Sequence, residues 1–177
     1  MTALSHPARF RRLIAGLLAA AVSCSLGPVL SARAAAPGDP FPGPRGEVML
    51  PSGKVLRVEL ADTPQKRAMG YMYREKVTDV EGMLFFFEEN DFHTFWMKNC
   101  KVGLDLVWLD EKWKVVHIER EVPPCKTDPC PYYLPIQSAR YVLETQAGLT
   151  AREKLAVGDT IIYVPPHDPP QPAGPPR

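Results

Sequence analysis

The chain has 177 residues, enough for one domain with a real core, and a formal charge of +1 from 21 basic and 20 acidic side chains. Four arginines and no acid fall in residues 1–34, which leaves 17 basic and 20 acidic groups, a net of −3, for the rest. A mildly acidic body with no run of like charge lacks the clustered basic field that phosphate binding needs, so nucleic acid is not an expected partner.

His6, Arg9, Arg11 and Arg12 form a positive start, and Leu13–Val22 is an apolar run of ten. That is too short to span a bilayer and suits the hydrophobic region of a signal peptide. Ala32-Arg33-Ala34 reads as a cleavage site, which predicts a signal peptide over 1–34 and a mature chain from Ala35. Ala21-Val22-Ser23-Cys24 resembles a lipobox. The alternative start is thus a lipidated Cys24, the one route by which this chain would sit on a membrane. Both routes predict export to the periplasm or cell envelope, an oxidising compartment.

Residues 35–45 hold four prolines and two glycines and are expected to be a spacer. Residues 165–177 hold seven prolines and are expected to be a disordered tail. The folded body is then 46–164. Glu47–Leu50 and Val55–Leu60 flank the turn Pro51-Ser52-Gly53. Leu56, Val58 and Leu60 alternate with Arg57 and Glu59, which predicts one buried and one wet face. Asp62-Thr63-Pro64 opens a short helix, Pro64–Met69, that Gly70 ends. Ala68, Met69 and Met72 are expected to face inward, with Gln65, Lys66 and Arg67 in water.

The densest apolar stretch is Gly82–Asp110. It reads as strands at Gly82–Phe87, Phe92–Lys98 and Leu104–Leu109, with a polar turn at Glu88–Asp91 and a bend at 99–103. Further strands are expected at Trp113–Glu119, Ser138–Glu144 and Thr160–Val164, and a helix or turn at Gly148–Leu155. Seven or eight short strands with two short helices predict a mainly β, single-domain fold, a β-sandwich or a distorted jelly-roll-like barrel.

Several motifs carry a resemblance. Gly70-Tyr71-Met72-Tyr73-Arg74, Glu81-Gly82-Met83-Leu84-Phe85, Phe95-Trp96-Met97-Lys98-Asn99, Leu104-Asp105, Tyr141-Val142-Leu143-Glu144, Gly148 and Val157-Gly158-Asp159 are similar to the family called domain of unknown function 192. The resemblance spans nearly all of Val55–Val164. It implies a small, mostly β, jelly-roll-like domain, often behind an export signal, and it supplies no reaction. Gly103 stands where the family usually has Pro before Leu-Asp.

No hydrolase triad spacing, H-E-x-x-H, phosphate loop or dinucleotide turn is present, so no catalytic residue and no cofactor is expected. His93 and His117 read as half-buried strand residues. Arg74, Glu81, Trp96, Lys98, Asn99 and Asp105 are expected near one end of the sheet. They form either a site for a small polar ligand or a structural network in which Lys98 or Arg74 pairs with Asp105. Met69, Met72, Met83 and Met97 read as core filler, with soft-metal binding as the rival. Cys125 and Cys130 are expected to form a disulfide in the Pro-rich loop, leaving Cys100 as an odd thiol; a zinc site from these cysteines with His93 or His117 is the alternative. The functional expectation is an exported, monomeric binding or accessory module of the bacterial envelope, whose partner is a small polar ligand or an envelope protein. The rivals are a small hydrolase or lyase using Asp105 with Arg74 or Lys98, and a copper-handling protein.

Overall fold

A computed structural model describes residues 45–166. The leader with Cys24, the spacer up to 44 and the tail from 167 lie outside the described residues. The strands are β1 (Gly46–Met49), β2 (Val55–Ala61), β3 (Glu81–Asp91), β4 (Phe95–Trp96), β5 (Leu104–Leu109), β6 (Val115–Val122), β7 (Tyr132–Tyr133), β8 (Ala139–Gln146) and β9 (Ile162–Val164). The helices are α1 (Pro64–Met69) and α2 (Leu149–Arg152). The fold is mostly β with two short helices, as the sequence predicts. Seven strands form one mixed sheet in the order β6-β5-β8-β3-β2-β1-β9, which does not close into a barrel. β4 and β7 make a separate two-stranded ribbon.

Each of the central strands β3, β5 and β8 alternates side chains between two buried clusters. One face carries Met83, Phe85, Leu104, Leu106, Trp108 and Val142. The other carries Leu84, Val107, Leu109 and Leu143, together with Leu149 of α2. Both faces are covered, which is why Leu104–Leu109 is an unbroken buried run.

The pairing that shapes the molecule is β2 with β3, which run parallel, Glu59 opposite Met83 and Ala61 opposite Phe85. Parallel neighbours require the chain to cross back over the sheet. Residues 62–80 do this. Thr63 caps α1, its hydroxyl accepting the Lys66 N–H, Pro64 occupies the first turn, and Gly70 ends it at φ 48°. The turn after it, residues 71–74, then lies across the Met83–Phe85 face.

Several expected boundaries shift. β3 runs on through Asp91, so Glu88–Asp91 is not a turn; its partnering with β8 is irregular between Phe86 and Asp91, and the exposed end needs no apolar face. Only Phe95–Trp96 of the expected Phe92–Lys98 strand pairs, because its partner β7 is two residues long. The inward face assigned to α1 is also corrected. No residue of α1 is buried, and Ala68 and Met69 are exposed, whereas Arg67 is half-buried. The Arg67 guanidinium lies 5.5 Å over the Phe87 ring and donates to the Phe86 carbonyl at 2.9 Å. On β2, Glu59 is buried rather than wet.

Candidate functional site

The crossover turn and the 94–100 segment leave a cavity of about 310 Å³ between them, floored by β3 and β8. Its walls are Met69, Gly70, Tyr71 and Met72 on one side and Thr94, Phe95, Trp96 and Cys100 on the other, with Phe85, Phe87 and Glu144 beneath. Phe85 and Phe95 meet edge to face at 4.9 Å, and Phe87 meets Phe95 at 6.3 Å. These contacts fix an aromatic wall.

Glu144 sits in a row across the sheet, Glu59 opposite Met83 and Met83 opposite Glu144, so both carboxyls lie on the crossover's side. Their surroundings differ. Glu59 takes a two-pronged pair from Arg74, Nη1 to Oε1 at 2.8 Å and Nη2 to Oε2 at 2.5 Å, and a contact from Arg45 at 3.1 Å. Glu144 is 4% exposed, and its Oε2 is buried without a hydrogen-bond partner among the described residues. Burial pushes its carboxyl up to about 8, against the pull of Arg74. At neutral pH it is therefore mostly a neutral acid, with one O–H to donate and one carbonyl to accept. Cys100 is buried and free, and burial, helped by Glu144, pushes its thiol up to about 12. The Tyr71 phenol is raised by burial, then by Glu59 and Glu144.

Gly70 sits over the carboxyl. A methyl there would lie 3.5 Å from Phe85 Cζ and 3.8 Å from Glu144 Oε2, and φ 48° disfavours any side chain.

The six residues expected to share one end do not form one cluster. Asp105 is 0% exposed and lies on the opposite sheet face from Glu144. Its neighbour Leu106 pairs with Glu144, so the two acids point apart by the alternation of a strand. Asp105 Oδ1 accepts from the Glu121 and Gly148 N–H groups at 2.7 and 2.9 Å. Oδ2 accepts from the Thr150 N–H and hydroxyl at 2.9 and 2.7 Å. It thus pins β6 and α2 to β5 through amides; the expected pairing with Lys98 or Arg74 is absent. The condition for the hydrolase or lyase rival, Asp105 exposed in a pocket, is not met.

The others are dispersed. Arg74 holds Glu59. Glu81 accepts from the Thr78 N–H and hydroxyl and closes the turn into β3. Lys98 lies 5.5 Å over the Trp96 ring and 3.5 Å from Asp128. Trp96 stacks on Tyr132 at 5.9 Å. Asn99, at φ 57°, accepts the Tyr73 N–H at its carbonyl, which ties the crossover turn to the bend. Only Trp96 lines the cavity; Glu144, Tyr71, Phe87 and Cys100 are its missed members.

His93 stacks on Phe87 at 3.5 Å, and His117 meets Glu119 at 3.0 Å. Met83 and Met97 are buried in the core, whereas Met69 and Met72 line the cavity, so the four methionines divide between two uses. Cys125 and Cys130 are joined as a disulfide. Among the described residues they form, with Asp128, the one metal-sized group of acidic, His or Cys side chains, and its two sulfurs are bonded to each other. No described helix is long and apolar enough to cross a membrane.

Residues 48–163 match domain of unknown function 192, described as an uncharacterised ACR. The chain belongs to the DUF192 family. A UPF0127 protein of Pyrococcus abyssi is 31% identical over 112 residues, 61% of this chain and 86% of that protein. A solved structure from Novosphingobium aromaticivorans, a protein of unknown function, is 33% identical with a TM-score of 0.62, covering 77% of this chain and 99% of its own. Another, from Sinorhizobium meliloti and provisionally named a transcription regulator, is 30% identical with a TM-score of 0.60, covering 68% and 92%. The DUF192-like motifs at 70–74, 81–85, 95–99 and 141–144 each place at least one residue on the cavity wall: Gly70, Tyr71 and Met72; Phe85; Phe95 and Trp96; Glu144.

Proposed function

We propose that this DUF192 domain is an exported binding module of the bacterial envelope, and that its site is the cavity above Glu144. The observation that carries the reading is the Glu144 carboxyl: buried, facing the cavity and lacking a partner for Oε2. A buried polar atom left unpaired costs about 1–3 kcal/mol. Scaffolds normally remove such groups, and binding sites retain them. A mostly apolar, largely pre-formed pocket with a few polar groups is the usual form of a small-molecule site, and here Arg67, Thr94 and Glu144 are among the lining residues. The leader, rather than the cavity, supports export.

The test is Glu144→Leu in the full chain. The variant should fold and melt at or above the wild-type temperature, because an unpaired acid is replaced by a side chain matched to its aromatic walls. Native mass spectrometry should show any small molecule that copurifies with the wild type absent from the variant. A variant that loses several kcal/mol would assign Glu144 to the scaffold and remove this site.

A further inference from the structure

We propose that the cavity above Glu144 takes a small neutral ligand with one flat apolar ring and a carboxamide-type head, the head pairing with the Glu144 carboxyl. The inference rests on the binding reading above and names its ligand class. About 310 Å³ lies at the small end of ligand pockets and suits a single ring with a short head. Phe85, Phe87, Phe95 and Trp96 offer ring faces and edges for that body.

Charge selects the head. Among the described residues, the ionisable groups around Glu144 are already engaged or hold their protons. Glu59, from β2, is matched by Arg74 of the crossover turn and by Arg45. Arg67, from α1, donates to the Phe86 carbonyl and lies over Phe87. Tyr71 and Cys100, from the two walls, hold their protons through burial. Glu81, near Tyr71, accepts from Thr78. A cationic head would enter beside two guanidiniums, Arg67 and Arg74. An anionic head would meet Glu144 with both of those guanidiniums already engaged. A neutral head needs neither change. The protonated carboxyl presents a donor and an acceptor side by side, and a carboxamide presents the complement: its carbonyl takes the Glu144 O–H, and its N–H satisfies the second oxygen.

The test uses the full chain with benzamide, benzylamine and benzoate as probes, titrated by calorimetry or protein-observed NMR from pH 6.5 to 9.5. Benzamide should bind in preference to the other two at pH 6.5. Its apparent affinity should fall roughly thirty-fold by pH 9.5, as a carboxyl titrating at about 8 loses its proton. Glu144→Gln preserves a donor beside an acceptor and cannot ionise, so it should keep benzamide binding and flatten the pH profile. Glu144→Leu should abolish binding. Preference for benzylamine, tightening as pH rises through 8, would overturn the neutral class and leave the pocket reading in place, as would preference for benzoate. Binding by none of the probes would overturn this ligand class; the pocket reading then stands or falls on the Glu144→Leu melt.

Discussion

The buried Glu144 carboxyl makes stability depend on pH in a direction opposite to that of most acids. Its ordinary value is 4.5, and burial holds it at about 8 in the fold. Between those values the native state keeps a proton that the unfolded chain has released. The contribution is therefore fully present below pH 4.5, falls as pH rises, and is lost by about pH 8. At about 1.4 kcal/mol per pH unit, the interval corresponds to roughly 5 kcal/mol. Relaxation around the ionised group will make the measured figure smaller. The useful quantity is a difference between two proteins that share every other ionisable group. Glu144→Gln has nearly the same shape and does not ionise. Urea melts of both proteins at half-unit steps from pH 4 to 9 should give curves that diverge, the variant gaining on the wild type by several kcal/mol and levelling off above pH 8. Parallel curves would mean that Glu144 ionises as an ordinary acid, hence that water reaches it, and the argument for a neutral carboxyl in the cavity would fail.

Three further outcomes follow from the geometry and one from the leader sequence. Asp105→Ala should cost about 3 kcal/mol or more in a urea melt, because it strands the buried amides of Glu121, Gly148 and Thr150; a loss under about 1 kcal/mol would contradict the pinning role. Arg74→Met should cost about 3 kcal/mol by leaving Glu59 short of its main partner, and should also move the Glu144 inflection upward, since Arg74 is what pulls it down; an unmoved inflection would uncouple the two groups. Peptide mapping without reduction should find Cys125 linked to Cys130 and Cys100 unmodified, and, on the export reading of the leader, intact mass should give a chain that starts at Ala35 or at a lipidated Cys24. A bond to Cys100, or a chain starting at Met1 in the envelope, would refute the respective reading.

The elements were legible where local chemistry decides them. Thr63, Pro64 and Gly70 specify α1 to the residue, and the apolar run fixes β5 over Leu104–Leu109. The parallel pairing of β2 with β3 was not, because an antiparallel and a parallel neighbour want the same alternating strand. That pairing decides where Gly70–Arg74 goes, and therefore where the cavity is. Glu144 was in view as the end of an alternating strand, Tyr141–Glu144, but its alternation reads equally well as a wet face. The only available signal was that a lone acid stood among apolar neighbours on a central strand, and the same signal marked Glu59. Lys98, Asn99 and Asp105 group together only by their distance along the chain. A strand places successive side chains on opposite faces, so closeness along the bend said nothing about which side Asp105 would take.

Asp105 and Glu144 together make the strongest physical argument for a site. They stand on adjacent strands, with Asp105 beside Leu106 and Leu106 opposite Glu144, so the same sheet holds both. Both are nearly inaccessible to water. Asp105 receives four hydrogen bonds, three of them from backbone amides that α2 and β6 bring to it. The fold is thus fully capable of satisfying a buried acid at this depth. Across the sheet, the crossover turn brings Gly70 over Glu144 and supplies no donor to Oε2, while Arg74, a few residues on, spends its fork on Glu59. A loose or poorly packed region would leave many polar atoms unpaired. Here the aromatic wall around Glu144 is packed ring against ring. Glu144 Oε2 is thus left without a partner among the described residues in a cavity whose walls are well packed, and a ligand group that donates to it has a place to sit.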